Sequence, residues 1–421
     1  MTTATTSPTL DGESIICFAP DPWEGLWRNR HQIMTRLAQH NTVIYVEPRL
    51  YLGETMRQFR AGRLRPADLR KPLLAPAPLG ALHESDSTGH LWLYHDPSYA
   101  PFAGRRSGGQ ATAALRQRSF RRALRRLGVR QPILWLLRPF QVDQIGLYDE
   151  KLVVYHVTDE YSGFPLISDK AAFLREEEAL LRRADMVIVT SPGLLASKGP
   201  FNQRTFLVPN AVDYAGFQAA LADPARRFAA ADAIPRPRIG YAGALNEKID
   251  FDLLAHIAHA RPEWQLVLVG APDLTAHPHK ADVLHRLANV HWLGRRPASQ
   301  VPGAIASMDV CLLPYERNRW TANIDSLKLY EYLACGKPVV STDVPAARAF
   351  AYLVHIADGP EAFVAAIEAA LTDNAPEAVE ARRAAAANNT WDMRVVQIET
   401  LLWDALASRQ TYASLAPDSG R

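Results

Sequence analysis

The feature that most constrains this chain is an alternation of short apolar runs with longer amphipathic ones, which stops midway and then starts again. The first series of apolar runs is SIICFA (14–19), TVIYVEP (42–48), PILWLL (132–137), KLVVYHV (151–157), MVIVTS (186–191) and TFLVPN (205–210). Helical spacing of apolar residues falls between them, at about 30–39 and at 169–183. Strand–helix alternation of this kind predicts a mostly parallel sheet with helices on both faces. After PNAVD (209–213) a stretch rich in Ala, Pro and Arg runs to Pro237 and reads as a linker. The pattern then restarts with RIGYAGAL (238–245), QLVLVG (265–270), VHWLG (290–294), VCLLPY (310–315) and PVVST (338–342). The expected fold class is therefore α/β, with two doubly wound domains. Residues 1–210 form the first domain and 211–385 the second, while 386–421 carry a last helix that crosses back towards the first. Trp391, Val395, Ile398, Leu402 and Leu406 share one face of that helix. In such sheets ligands sit outside the carboxyl ends of the strands, so two facing sheets predict a deep cleft lined by strand-end loops.

Charge and cysteine usage narrow the class of protein. With 47 Lys plus Arg against 44 Asp plus Glu, the net charge of +3 is too balanced for a dedicated nucleic-acid binder. Cys17, Cys311 and Cys335 are odd in number and lie in apolar runs, which predicts buried thiols in a reducing compartment. The first fourteen residues are polar, without a basic segment leading into an apolar one, and no apolar run is long enough to span a bilayer. A cytoplasmic protein is expected.

The most informative string is SLKLYEYLACGKPVVST (326–342), a helix that stops at Gly336 and leads straight into a strand. Lys328 and Glu331 are one turn apart. They read either as a surface ion pair or as part of a ligand site. In the second reading the helix N-terminus faces a diphosphate and Glu331 accepts hydrogen bonds from vicinal sugar hydroxyls. In AGALNEKIDF (242–251), Gly243 permits close backbone approach to a ligand, and Lys248 either neutralises a phosphate or projects into solvent. Asp250 and Asp252 have the D-x-D spacing of a divalent-ion site, but they open the helix DFDLLAHIAHA, where Asp is a favoured cap. His277, His279, His285 and His291 cluster loosely, without a metal-ligand spacing.

The string KLYEYLACGKPVVS, with CLLPY upstream and IGYAGAL before it, resembles the donor-binding domain of GT-B glycosyltransferases. The resemblance is closest to the large retaining family 4 and its bacterial polysaccharide-synthesis relatives. WRNRHQIMTRLAQHNTVIYVEP, YHVTDEYSGF and VIVTSPGLLASK extend it over nearly the whole chain. The resemblance implies a GT-B fold of two Rossmann-like domains facing a central cleft, with the acceptor held by the first and the nucleotide-sugar by the second. It implies transfer of a sugar from a nucleoside diphosphate sugar, most often UDP-linked, to a hydroxyl of a glycan or lipid-linked acceptor. The setting it implies is cell-surface polysaccharide or glycoconjugate synthesis, with retention of configuration and no metal or other cofactor. Glu331 matches the ribose-binding glutamate, Gly243 the glycine at the diphosphate, and Ser326, Leu327 and Lys328 the helix-start residues facing the phosphates. The family often has a second glutamate eight positions earlier; here that position is Asn323, so its role near the donor sugar is lost or passes to Asn323 or Asp325.

Three further segments bear on the acceptor. The loop PDPWEGLWRNRHQ (20–32) follows the first strand, and Gly25, Arg28 and His31 are candidates for lining the cleft. Asp159, at the end of the strand YHV, is placed to orient or deprotonate an acceptor hydroxyl, or else to cap the next turn. His156, inside that strand, reads as a core histidine. Residues 101–130 hold nine arginines and no acidic residue or lysine, with Phe120, Ala123, Leu124 and Leu127 as an apolar stripe. That pattern suits either peripheral contact with an anionic membrane on its inner face or a helix packed on the core. Rival readings of the whole are a sugar-nucleotide epimerase on the same fold, an inverting glycosyltransferase of small molecules, and a non-catalytic two-lobed binding protein.

Overall fold

The computed structural model describes residues 9–24, 27–48, 81–84, 89–96, 109–164, 167, 169–274 and 276–415. The first sheet contains β1 (Ser14–Phe18), β2 (Thr42–Val46), β3 (Ala81–Glu84), β4 (Leu91–His95), β5 (Ile133–Leu136), β6 (Leu152–Val157), β7 (Met186–Val189) and β8 (Thr205–Leu207). Its order is β3-β4-β2-β1-β5-β6-β7-β8, and only the β3–β4 edge pair is antiparallel. All six residues of β6 are buried, as a strand covered on both faces requires.

One face is covered by α1 (Asn29–Leu37), and the other by α2 (Gly109–Arg126), α3 (Lys170–Arg183) and α4 (Pro192–Lys198). On the α1 face, Ile33 and Met34 pack with Cys17, Tyr45 and Trp135. On the other face, Phe120, Leu180 and Leu194 pack with Ile16, Phe18 and Tyr155.

The second domain starts with α5 (Tyr214–Ala222) and has a parallel sheet of β9 (Arg238–Ala242), β11 (Gln265–Val269), β13 (Val290–Trp292), β14 (Val310–Leu313), β15 (Val339–Thr342) and β16 (Val354–Ala357). The order is β13-β11-β9-β14-β15-β16, with a short pair, β10 (Leu245–Asn246) and β12 (Pro272–Asp273), beside it. Its helices are α6 (Phe251–Ala260), α7 (Val301–Ala306), α8 (Leu327–Ala334), α9 (Pro345–Arg348), α10 (Pro360–Thr372) and α11 (Pro376–Ala387). The final helix α12 (Trp391–Leu415) leaves this domain and lays Trp391, Val395, Ile398 and Leu402 on the α1 face of the first sheet.

Several elements depart from the sequence reading. The stretch expected to be a linker is structured, because α5 and the turns after it bury Phe228, Ala231 and Ile234 in the second core. Strands β3, β4 and β16, which lie at a sheet edge or next to one, are not among those expected from the sequence; in β4 and β16 half-buried positions stand between buried ones. The apolar stripe of α2 turns inward: Phe120, Ala123 and Leu124 are core residues, which removes it as a membrane-inserting face and leaves arginines outside. Asp250 caps α6 by accepting from the Leu253 amide at 2.8 Å, so the D-x-D pair belongs to a helix start. Among the described residues, no three His, Cys, Asp or Glu side chains gather as a metal-binding group, and no helix is long and apolar enough to cross a membrane.

Candidate active site

The carboxyl ends of the two sheets face each other across a cleft bridged by direct contacts. The loop between β14 and α8 reaches the first domain at three points. The Trp320 indole N–H donates to Asp159 Oδ1 (3.1 Å), Ser191 Oγ donates to the Asn323 carbonyl (2.8 Å), and the Asn210 amide donates to Asp325 Oδ2 (2.5 Å). Trp320 also packs on Phe164 of the first domain, with ring centroids 4.3 Å apart.

The wall expected to hold the donor is built around the start of α8. Gly336 ends this helix in a left-handed turn (φ +69°), and a side chain there would also strike Val379, so its register is fixed from behind. At its front, the Lys328 ammonium donates to Glu331 Oε2 (2.8 Å), with both groups half-buried. The Lys328 stem crosses directly over Gly243: a Cβ at Gly243 would lie 2.7 Å from Lys328 Cε. Gly270 in turn leaves room for the Gly243 carbonyl, which a side chain at 270 would meet at 1.9 Å. Gly243, Lys328 and Glu331 thus form one unit.

Lys248 reaches the cleft from the loop after β10. Its ammonium stands 5.4 Å from the centre of the Tyr315 ring. Burial pulls its pKa down to about 8, opposed by the attraction of Asp159 and assisted by repulsion from Lys328 and Arg28. Ser326 is buried, and its hydroxyl shares a hydrogen bond with Tyr315 (2.7 Å); what it offers a ligand is the helix start behind it. Leu327, Lys328 and Glu331 line a cavity of about 340 Å³ that continues past Trp27 and Arg28 to Arg296 and Pro302.

The facing wall, expected to hold the acceptor, comes from the loops after β1, β5 and β6. Burial raises the Asp159 carboxyl above its usual range, against the pull of Lys248, the Trp320 N–H, Arg138 and Arg28. Arg28 is exposed and lies 3.5 Å from Asp21. Beneath this turn, Lys198 joins two buried carboxylates, Glu160 (3.1 Å) and Glu177 (2.7 Å), and Ser162 donates to Glu160 (2.6 Å).

The structure therefore brings Gly243, Lys248, Lys328 and Glu331 together with Asp159 and Arg28, and Leu327 and Ser326 stand at the same helix start. Other residues lie elsewhere. His31 is fully buried among Trp23, Trp27 and Tyr45, accepts from the Arg28 amide, and is pushed down to about 4 by burial and by Arg30. It has no exposed atom to offer an acceptor; it supports the loop that carries Arg28. Gly25 lies outside the described residues. Asn323 turns to the first domain, its Nδ2 donating to the Arg319 carbonyl (2.8 Å) and its Oδ1 packed where a side chain on Gly193 would stand. Asp325 is committed to Asn210 and to the Tyr330 hydroxyl (3.1 Å), and burial raises it to about 6. Neither takes the place of the missing glutamate with a free side chain. His156 is a core residue against Trp135. Sequence reading missed Trp320, Arg138 and Gly270. Of these only Gly270, closing the run QLVLVG, left a signal that spacing alone would catch.

Two Rossmann-like domains with facing strand ends, joined by a short connection and a returning C-terminal helix, constitute the GT-B architecture. Residues 236–373 match the family described as glycosyl transferases group 1, and the chain is a glycosyltransferase whose second domain is of this kind. A Bacillus subtilis protein provisionally named as the teichuronic acid biosynthesis glycosyltransferase TuaH is 29% identical over 287 residues, covering 63% of this chain and 70% of that protein. Among solved structures, sucrose-phosphate synthase from Thermosynechococcus elongatus superposes with a TM-score of 0.61 at 18% identity, covering 96% of this chain and all of that one. Anabaena HepE in complex with UDP and glucose gives 0.64 at 15% identity, over 94% of this chain and 100% of that one. At these identities the two structures speak to the fold.

Proposed function

We propose that the chain transfers a sugar from a nucleoside diphosphate sugar, UDP-linked, to a hydroxyl of a glycan or lipid-linked acceptor in cell-surface polysaccharide synthesis, with retention and without a metal. The observation that carries this reading is the unit formed by Gly243, Lys328 and Glu331 at the start of α8. A backbone kept bare by glycine, a helix N-terminus and a lysine converge where a diphosphate fits, with a carboxylate one turn further along for the ribose hydroxyls. The 29% identical relative is named for synthesis of teichuronic acid, and the HepE neighbour is described with bound UDP, which supports the choice of pathway class and nucleotide.

In this mechanism the amides of Leu327 and Lys328, the Lys328 ammonium and Lys248 stabilise charge on the leaving diphosphate. Glu331 turns from Lys328 to the ribose and fixes the donor in the cleft. Asp159 orients the acceptor hydroxyl towards the anomeric carbon, and the donor phosphate takes its proton, so that attack and departure occur on the same face. Trp320 holds the Asp159 carboxylate from the donor side, and Asn323, behind it, keeps the loop docked. The exposed arginines of α2, Arg118, Arg121, Arg122 and Arg125 among them, give the enzyme an electrostatic contact with anionic lipid. Binding to anionic vesicles that vanishes in high salt is the expected sign of that contact; salt-independent binding, or none, removes it.

The test is turnover of a panel of UDP-sugars with and without glycan acceptors in the presence of a chelator. Release of UDP that requires acceptor, with an axial donor linkage giving an axial product linkage by NMR, is the expected result. Conversion of a sugar nucleotide alone, without release of UDP, would establish the epimerase reading instead.

A further inference from the structure

The acceptor-side wall holds one cation more than its own carboxylates engage. Strands β1, β5 and β6 are neighbours in the first sheet and run parallel, so their carboxyl ends stand side by side. The loop after β1 brings Asp21 and Arg28, the end of β5 brings Arg138, and the loop after β6 brings Asp159. Arg28 and the buried Arg30 share Asp21. Asp159 accepts from Trp320. Among the described residues, no carboxylate forms an ion pair with Arg138.

Arg138 is nevertheless held in a defined place. Its guanidinium lies 4.0 Å over the Tyr161 ring and gives one N–H to the Leu137 carbonyl (2.8 Å). Tyr161 is itself tied to the turn that carries Asp159, through its hydroxyl to Thr158 Oγ1 (2.7 Å) and its amide to the Asp159 carbonyl (3.0 Å). A guanidinium has five N–H donors, and stacking on an aromatic face leaves its edges available to a planar anion. The turn after β5 is capped by the Arg138 backbone amide, which donates to Gln141 Oε1 (2.9 Å), so the side chain is not needed for that cap. Its charge also reaches Asp159, where it and Arg28 act against the effect of burial.

We propose that Arg138, with Arg28 from the loop of the neighbouring strand β1, forms an acceptor subsite for one anionic group, a sugar carboxylate or a phosphate ester, next to the hydroxyl that Asp159 orients. The subsite rests on the glycosyltransferase reading of the cleft and adds the chemical class of the acceptor to it. A neutral sugar placed there would leave Arg138 only the attraction of Asp159, which it shares with Lys248 and Arg28, whereas an acid would give it a paired N–H···O contact of its own.

The experiment is calorimetric titration of the protein saturated with UDP, using methyl β-glucuronide, methyl β-glucoside and glucose 1-phosphate as probes. At least one charged probe is expected to bind about tenfold more tightly than the neutral glucoside. Arg138→Gln is expected to abolish that preference while leaving UDP affinity unchanged, with only a small fall in melting temperature from the lost stack on Tyr161, and Arg138→Lys to keep part of the preference. A preference for the glucuronide identifies the carboxylate, and one for glucose 1-phosphate the phosphate. Equal binding of all three probes, binding of none, or a preference that survives in Arg138→Gln overturns the subsite. Failure of UDP itself to bind defeats the donor assignment beneath it, a result the same titration reads separately.

Discussion

On the donor wall of the cleft, Lys328 meets both Gly243 and Glu331, and two of the three lie on a single turn of one helix. On the acceptor wall, Arg28, Arg138 and Asp159 come from three loops more than a hundred residues apart at the extremes, brought together only by the order of strands β1, β5 and β6. The donor wall is closely interlocked, because the helix start, the strand end and the glycines pack directly on one another. The acceptor wall is a set of strand ends whose arrangement is stiffened from below, by the buried Lys198–Glu160–Glu177 group, and from across the cleft, by Trp320. A site of the first kind keeps one ligand class, while a site of the second kind changes partner through substitutions in any of its loops.

The comparison is broken most directly by truncating one carboxylate on each wall. Glu331→Ala is expected to raise the KM for donor by about two orders of magnitude, since it removes a charged acceptor of two hydrogen bonds. Alanine is a good helix former, so melting should change little. Asp159→Asn, which still accepts from Trp320, should leave donor KM alone and lower kcat with saturating acceptor. Steady-state kinetics with each substrate varied in turn separates the two; equal effects of both variants on donor KM would contradict the division of the cleft.

A smaller effect sharpens the donor side alone. Burial holds Lys248 at about 8, so in the empty cleft its positive charge is present below that pH and lost above it. An anionic donor is favoured by the charged form, so UDP affinity should fall as pH rises, by about tenfold between pH 7 and 9. In Lys248→Met the affinity should be weaker and flat over the same range. A pH dependence that persists in the variant assigns the titration to another group.

The smallest expected change concerns the contact between the walls. Trp320→Phe keeps a ring against Phe164 but removes the N–H held by Asp159. Loss of one such hydrogen bond predicts an acceptor KM or kcat effect of about fivefold, with donor binding unchanged. An effect on donor binding would mean that Trp320 positions the donor as well as Asp159.

The legibility of the two walls in the sequence follows their construction. The helix from Leu327, its glycine stop at Gly336 and the strand after it are local patterns, so Lys328, Glu331 and Gly243 could be placed from spacing and resemblance. Asp159 was legible as a polar residue closing a buried strand. Arg138 was not, because an arginine after PILWLL looks like any surface residue until β5 is known to lie between β1 and β6. His31 was misplaced for the complementary reason: in a polar loop nothing local says that four aromatic and basic neighbours will enclose it. The stripe on α2 had the right period, but period alone does not say whether a helix faces a core or a lipid surface.

The measurement that bears most directly on the central assignment is thermal melting of the unmodified protein with UDP, GDP, ADP, CMP and dTDP, in the presence of a chelator. A ligand bound only by the folded state stabilises it by about 2.7 kcal/mol at a hundredfold excess over Kd. Selective stabilisation by UDP, lost in Glu331→Ala, is the predicted result. No stabilisation by any of these nucleotides, or equal stabilisation of Glu331→Ala, would contradict a nucleoside diphosphate site at the start of this helix.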